Sequence, residues 1–125
     1  MRLLMFSLMA LAILMAPAHA RQIWTPSAAQ KKIVRLSETR TFALLIRMVK
    51  KSGQKCDGPL NHQMLGLYEG DGTLWYILNC GNDDFIIYIP RRERAITKVI
   101  SCSELRKTHK ISCSPLRPEY FINPL

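Results

Sequence analysis

The stretch from Gly66 to Ile100 limits the folds open to this chain more than any other. At its centre stand GDGTLWYILNC and then GNDDFIIYIP, short runs of β-branched, aromatic and leucine residues punctuated by Gly, Asn and Asp. That is the pattern of antiparallel strands joined by tight turns. A first strand is expected over His62 to Glu69, with Met64 and Tyr68 on one face and Leu65 and Leu67 on the other. Gly70-Asp71-Gly72 then turns the chain, glycine supplying the positive φ. The second strand, Thr73 to Cys80, alternates Trp75 and Ile77 against Leu74, Tyr76 and Leu78. After the turn Gly81-Asn82-Asp83-Asp84, the third runs from Phe85 to Ile89 and is stopped by Pro90, which cannot donate to a ladder. A charged loop, Arg91-Arg92-Glu93-Arg94, leads to a fourth strand over Ala95 to Ser101.

Helical signals precede this meander. Phe42, Leu45, Ile46 and Val49 recur at i, i+3, i+4 and i+7, one apolar stripe on an amphipathic helix. Lys50 and Lys51 suit its last turn, and Gly53 is placed to follow its end near Ser52. Before it, Thr25-Pro26-Ser27 reads as a helix start, with Thr25 as N-cap and Pro26 at the first helical position. The segment from Ser27 to Leu36 offers only Ile33, Val34 and Leu36 for burial, so residues 26–36 and 38–52 form either one helix or two. Trp24 either covers an edge of the core or lies in an arm.

The first twenty residues have a different logic. Arg2 is followed by a predominantly apolar run from Leu3 to Met15 and then by Ala16-Pro17-Ala18-His19-Ala20. This is the layout of a secretory signal peptide with an Ala-x-Ala cleavage site. The run falls short of the roughly 20 residues that a membrane-spanning helix needs. Residues 1–20 are therefore expected to be removed, leaving residues 21–125 as one small domain with no transmembrane segment, exported to the periplasm or beyond the cell. Cys56, Cys80, Cys102 and Cys113 follow the cleavage site, an even number of the kind that forms disulfides in exported domains. In an up-and-down meander Cys56, Cys80 and Cys102 gather at one end of the sheet, so proximity alone leaves the pairing open. Neighbouring strands favour Cys56 with Cys80 and leave Cys102 with Cys113, the alternative being Cys80 with Cys102.

The chain carries a net charge of +9. Such a field favours an acidic protein or an anionic envelope surface as partner. The cations cluster before Cys56 and again after the third strand, where Arg91, Arg92, Arg94 and Lys98 are candidate binding residues. Nucleic acid is not expected as the regular partner of an exported chain, although Trp75, Tyr76, Phe85 and Tyr88 have the shape for base stacking. As a catalytic constellation the residues offer at most a ribonuclease-like pair, His62 and His109 as acid and base with Lys107 or Lys110 for a phosphate. That defines the alternative reading, a small exported hydrolase of an anionic polymer. His62 and Met64 share a strand face but lack two further soft ligands for copper, and no Cys-x-x-Cys is present. No metal and no cofactor is expected.

The order helix, Cys56, strand, Gly70-x-Gly72-Thr73-x-x-Tyr76-x-x-x-Cys80, turn, Phe85-x-x-Tyr88, strand and Cys102 resembles small exported bacterial proteins of unassigned function. In these a helix is joined to a cysteine-bracketed meander. The resemblance covers roughly Phe42 to Cys102 and implies a fold without implying a site. This chain departs from it in Asn82-Asp83-Asp84 and in the Pro-rich tail over residues 114–125. The expected architecture is α+β: an N-terminal helix or helix pair on one face of a four-stranded antiparallel meander, stapled by disulfides. The opposite face is left as the natural binding surface of a non-enzymatic envelope protein, an enzyme inhibitor among the forms that it takes. Tyr120, Phe121 and Ile122 are placed to add an edge strand, to lie over the sheet or to be offered to a partner.

Overall fold

The computed structural model describes residues 23–93, 95–109, 113 and 118–125. The segment read above as a signal peptide, residues 1–20, therefore lies outside the described residues. The fold is α+β, with helices α1 (Ala28–Val34) and α2 (Glu38–Lys51), strands β1 (Pro59–Tyr68), β2 (Leu74–Cys80), β3 (Asp84–Ile89) and β4 (Lys98–Ser101), then helix α3 (Cys102–His109) and strand β5 (Phe121–Ile122). The sheet is antiparallel with order β4-β3-β2-β1-β5.

Among the described residues the sheet thus has five strands where four were expected, because Phe121 and Ile122 pair with Tyr68 and Leu67 along the outer edge of β1. The approach is close. Gly66, at φ +120°, has no side chain to collide with the Ile122 carbonyl oxygen, which would lie 2.6 Å from an added Cβ. The register of β1 against β2 also shifts between Met64 and Gly66, so that Met64 opposes Tyr76 while Gly66 opposes Trp75. This bulge places two β1 residues against one on β2 and reverses the facing beyond it. Met64 consequently packs with Leu67 in the core, and Tyr68 faces the other way. The uninterrupted alternation read from the sequence paired Met64 with Tyr68.

The main core joins α2 to the first face of the sheet. Leu45 and Val49 meet Leu67, Leu74, Tyr76, Leu78, Phe85, Ile87 and Ile89, with Phe42 and Ile46 packed at its margin. The helix stops as its residues dictate, with Ser52 as C-cap and Gly53 following at φ +86°. α1 is a separate short helix. Its N-cap is Ser27, not Thr25, since Ser27 and Gln30 close a capping box in which each side chain accepts from the other's backbone N–H. Gln30 is fully buried, and its amide also donates to the carbonyls of Gly72 (2.9 Å) and Ile89 (3.1 Å). One side chain thereby fastens α1 to the hairpin end of the sheet. Trp24 covers the same end: its indole N–H donates to the Glu69 carbonyl at 2.9 Å, while the Glu69 N–H donates to the Tyr120 carbonyl at 2.8 Å.

Disulfides hold the other end. Cys56 pairs with Cys80 and Cys102 with Cys113, with Cα separations of 5.1 and 5.7 Å. Cys102 opens α3, an element additional to the expected ones, whose Leu105 packs, as do Ile77, Trp75 and Tyr88, against the cluster of Ile86, Cys102 and Cys113 on the second face. Ser101 caps it by accepting from the Glu104 N–H. Behind the cap, Asp83 accepts from the Ser101 hydroxyl, the Ser103 hydroxyl (2.7 Å) and the backbone N–H groups of Ser103 and Asp84. Partial burial pushes the Asp83 carboxyl up, but these hydrogen bonds outweigh it and hold its pKa below the ordinary value.

Candidate functional site

The second face was the expected binding surface. Part of it is taken by α3 and the Cys102–Cys113 bridge. The rest carries four rings spent largely on one another: Trp75 lies 4.2 Å from Tyr88, 4.9 Å from Tyr68 and 5.1 Å from Phe121, centroid to centroid. The Trp75 indole donates to Thr73, whose hydroxyl donates to Asp71. Burial, and after it the negative charge of Asp71 and the neighbouring Tyr68, pushes the Tyr88 hydroxyl up. The margin of this ring cluster therefore carries an acid, which does not suit an acidic partner.

Three of the four candidate binding cations lie among the described residues. The Arg91 guanidinium lies 4.9 Å over the Trp24 ring and donates to the Thr25 carbonyl at 2.5 Å, so it secures the N-terminal segment. Arg92 is exposed in the loop, Lys98 is exposed on β4 opposite Tyr88, and Arg94 lies outside the described residues. His62 and the helix that carries the second histidine lie on opposite faces of the sheet. The His62 ring stacks on Phe42 at 5.3 Å on the α2 face, whereas α3, which ends at His109, packs on the opposite face. Met64 beside His62 is packed into the core margin. Among the described residues no group of three or more His, Cys, Asp or Glu comes together. No described helix is long and apolar enough to cross a membrane.

A different surface combines shape with charge. α2 presents a second stripe beside its buried one, Leu44, Arg47, Met48 and Lys51, at the helical spacing i, i+3, i+4 and i+7. The short β4 and the loop before it face this stripe with Ala95, Ile96, Thr97 and Val99, and between them lies an open groove of about 620 Å³. Its floor is apolar: Leu44, Met48 and Val99 are half-buried, and Ile96 at its mouth is 86 % exposed. Arg47 and Lys51 are exposed on its wall, and neither is ion-paired among the described residues. Glu93, the one acid lining it among the described residues, lies 3.8 Å from Lys32, both side chains being largely exposed. Because β4 ends one side of the strand order, its outer edge also pairs with no strand among the described residues.

Sequence reasoning missed this groove, because its stripe mixes cations with apolar residues and reads as the flank of the buried one. α3 left a plainer signal, since Ser101-Cys102-Ser103-Glu104 has the S-x-x-E spacing of a capping box. Comparison of the chain with protein-family models, with curated proteins and with solved structures finds no match.

Proposed function

We propose that this is an exported, non-enzymatic binding protein of the cell envelope, of the kind that includes enzyme inhibitors, and that it uses a basic surface against an acidic partner. The observation that carries the reading is the groove between α2 and β4, where apolar residues are flanked by Arg47 and Lys51, neither ion-paired among the described residues. A net charge of +9 reinforces it by drawing anionic partners from a distance. Two disulfides are compatible with an oxidising location. They also keep a small scaffold rigid, which reduces the entropy lost on docking.

The test is a pull-down from an envelope fraction at low and at raised salt, repeated with Arg47→Glu/Lys51→Glu and with Arg106→Glu/Lys107→Glu. An acidic protein should be recovered in a salt-sensitive way, and the groove pair should lose it while the α3 pair, with the same change of charge, retains it. Recovery that is indifferent to salt and to both pairs counts against the reading.

A further inference from the structure

Every feature of the groove bears on what it can hold. β4 is an edge strand, and the N–H and C=O groups along such an edge are a template for another strand. A strand added there alternates its side chains between the two faces of the sheet. Those on the α2 side fall where Val99 faces Leu44 and Met48, over the apolar floor. The cations on the α2 wall stand beyond that floor, within reach of carboxylates carried by the same strand. The volume is within the range of recognition pockets, and Ile96 extends the apolar surface at its mouth.

Building on the binding reading above, we propose that the groove receives an extended segment of an acidic partner protein, added as a strand to the outer edge of β4. Its alternate apolar side chains fill the space over Leu44, Met48 and Val99, and its carboxylates meet Arg47 and Lys51. A second copy of this chain is a poor occupant. Edge-to-edge pairing would bring two such cationic walls together on two strongly basic molecules. Only four residues of edge are offered, one of them Lys98, so backbone pairing sets direction and register while the side chains and charges supply most of the affinity.

The experiment selects twelve-residue peptides from a random phage library on the full disulfide-bonded chain. Synthetic copies of the selected peptides are then titrated against the wild type, Arg47→Glu, Lys51→Glu, Ile96→Asp and the α3 control Arg106→Glu/Lys107→Glu. All of these positions are exposed, so the fold is retained. The expected result is enrichment of Asp and Glu interleaved with apolar residues, and roughly tenfold weaker binding to each groove variant but not to the control. N-methylation of alternate peptide amides should weaken binding in one of the two registers and leave the other unchanged, because only one set of donors faces β4. Acidic peptides insensitive to the groove substitutions, or indifferent to N-methylation in both registers, overturn the proposal and leave the acidic-partner reading standing. Selection of neutral or basic peptides, or of none, overturns both. Sedimentation showing a dimer that Ile96→Asp dissolves assigns the groove to a second copy and overturns it as well.

Discussion

Replacing Gln30 with alanine should cost this domain more than any other single truncation in α1. The side chain is fully buried and makes three hydrogen bonds: from the Ser27 N–H at 3.0 Å, to the Gly72 carbonyl at 2.9 Å and to the Ile89 carbonyl at 3.1 Å. At about 1 kcal/mol net for each bond, their loss comes to about 3 kcal/mol. The space vacated between α1 and the hairpin adds about 1 kcal/mol, since the neighbours relax only in part. A total of about 4 kcal/mol is a large share of the 5–15 kcal/mol that typical domains possess. Ser27→Ala, which removes only the other half of the capping box, should cost about 1 kcal/mol. Urea unfolding followed in single-tryptophan backgrounds measures this and locates it. Trp24 reports on the end that Gln30 secures, and Trp75 on the opposite face of the sheet. Coincident transitions at both probes, shifted by about 4 kcal/mol, are expected. A loss below about 1 kcal/mol, with both probes still moving together, would mean that water satisfies the two carbonyls and that the clamp contributes little.

Other perturbations test other joints. The lowered pKa of Asp83 contributes stability that is present above the ordinary carboxylate pKa of about 4 and lost as the pH falls through its folded value. Asp83→Ala should therefore destabilise the protein at neutral pH and flatten the acid limb of its stability profile, as read by thermal melts between pH 2 and 6. Burial pushes the Tyr76 hydroxyl up to about 12, so stability should be intact below pH 10 and decline between about pH 10 and 12 as the unfolded chain ionises first. Tyr76→Phe should remove that part of the alkaline decline in matched denaturation curves. Gly66→Ala should drive β5 off the sheet by about 1–3 kcal/mol, visible as faster amide exchange at Phe121 and Ile122 while β2 and β3 keep their protection. Unchanged exchange there would show that the edge accommodates a methyl group.

Wherever a single periodicity governs a segment, the chain could be read directly. The Phe42, Leu45, Ile46, Val49 stripe and the Leu74, Tyr76, Leu78 alternation both face the core as their spacing requires, and strand adjacency favoured the two disulfide pairs that form. Legibility failed where a residue's role depends on a distant partner. Leu65 looks like any strand residue until the bulge gives it no partner on β2, and Gln30 looks like a polar helix position until two carbonyls from the sheet arrive at its amide. Phe121 and Ile122 are too few to announce a strand, and they become one only because Gly66 leaves room. The groove was illegible for a related reason. Leu44 and Met48 become a floor only because β4 is short and stops beside them.

Glu69 is the meeting point of Trp24 and Tyr120, held on its carbonyl side by the first and on its amide side by the second. The first and last described stretches, residues 23–25 and 118–125, thus meet at one point on the edge of the sheet. A circularly permuted version of residues 23–125, with a short bridge from residue 125 to residue 23 and a fresh opening at Arg92–Glu93, would keep every strand beside its present neighbour. For the same reason a surface or a fusion attached through either of these two stretches tugs on one corner of the molecule and leaves the far, sulfur-bonded corner at rest.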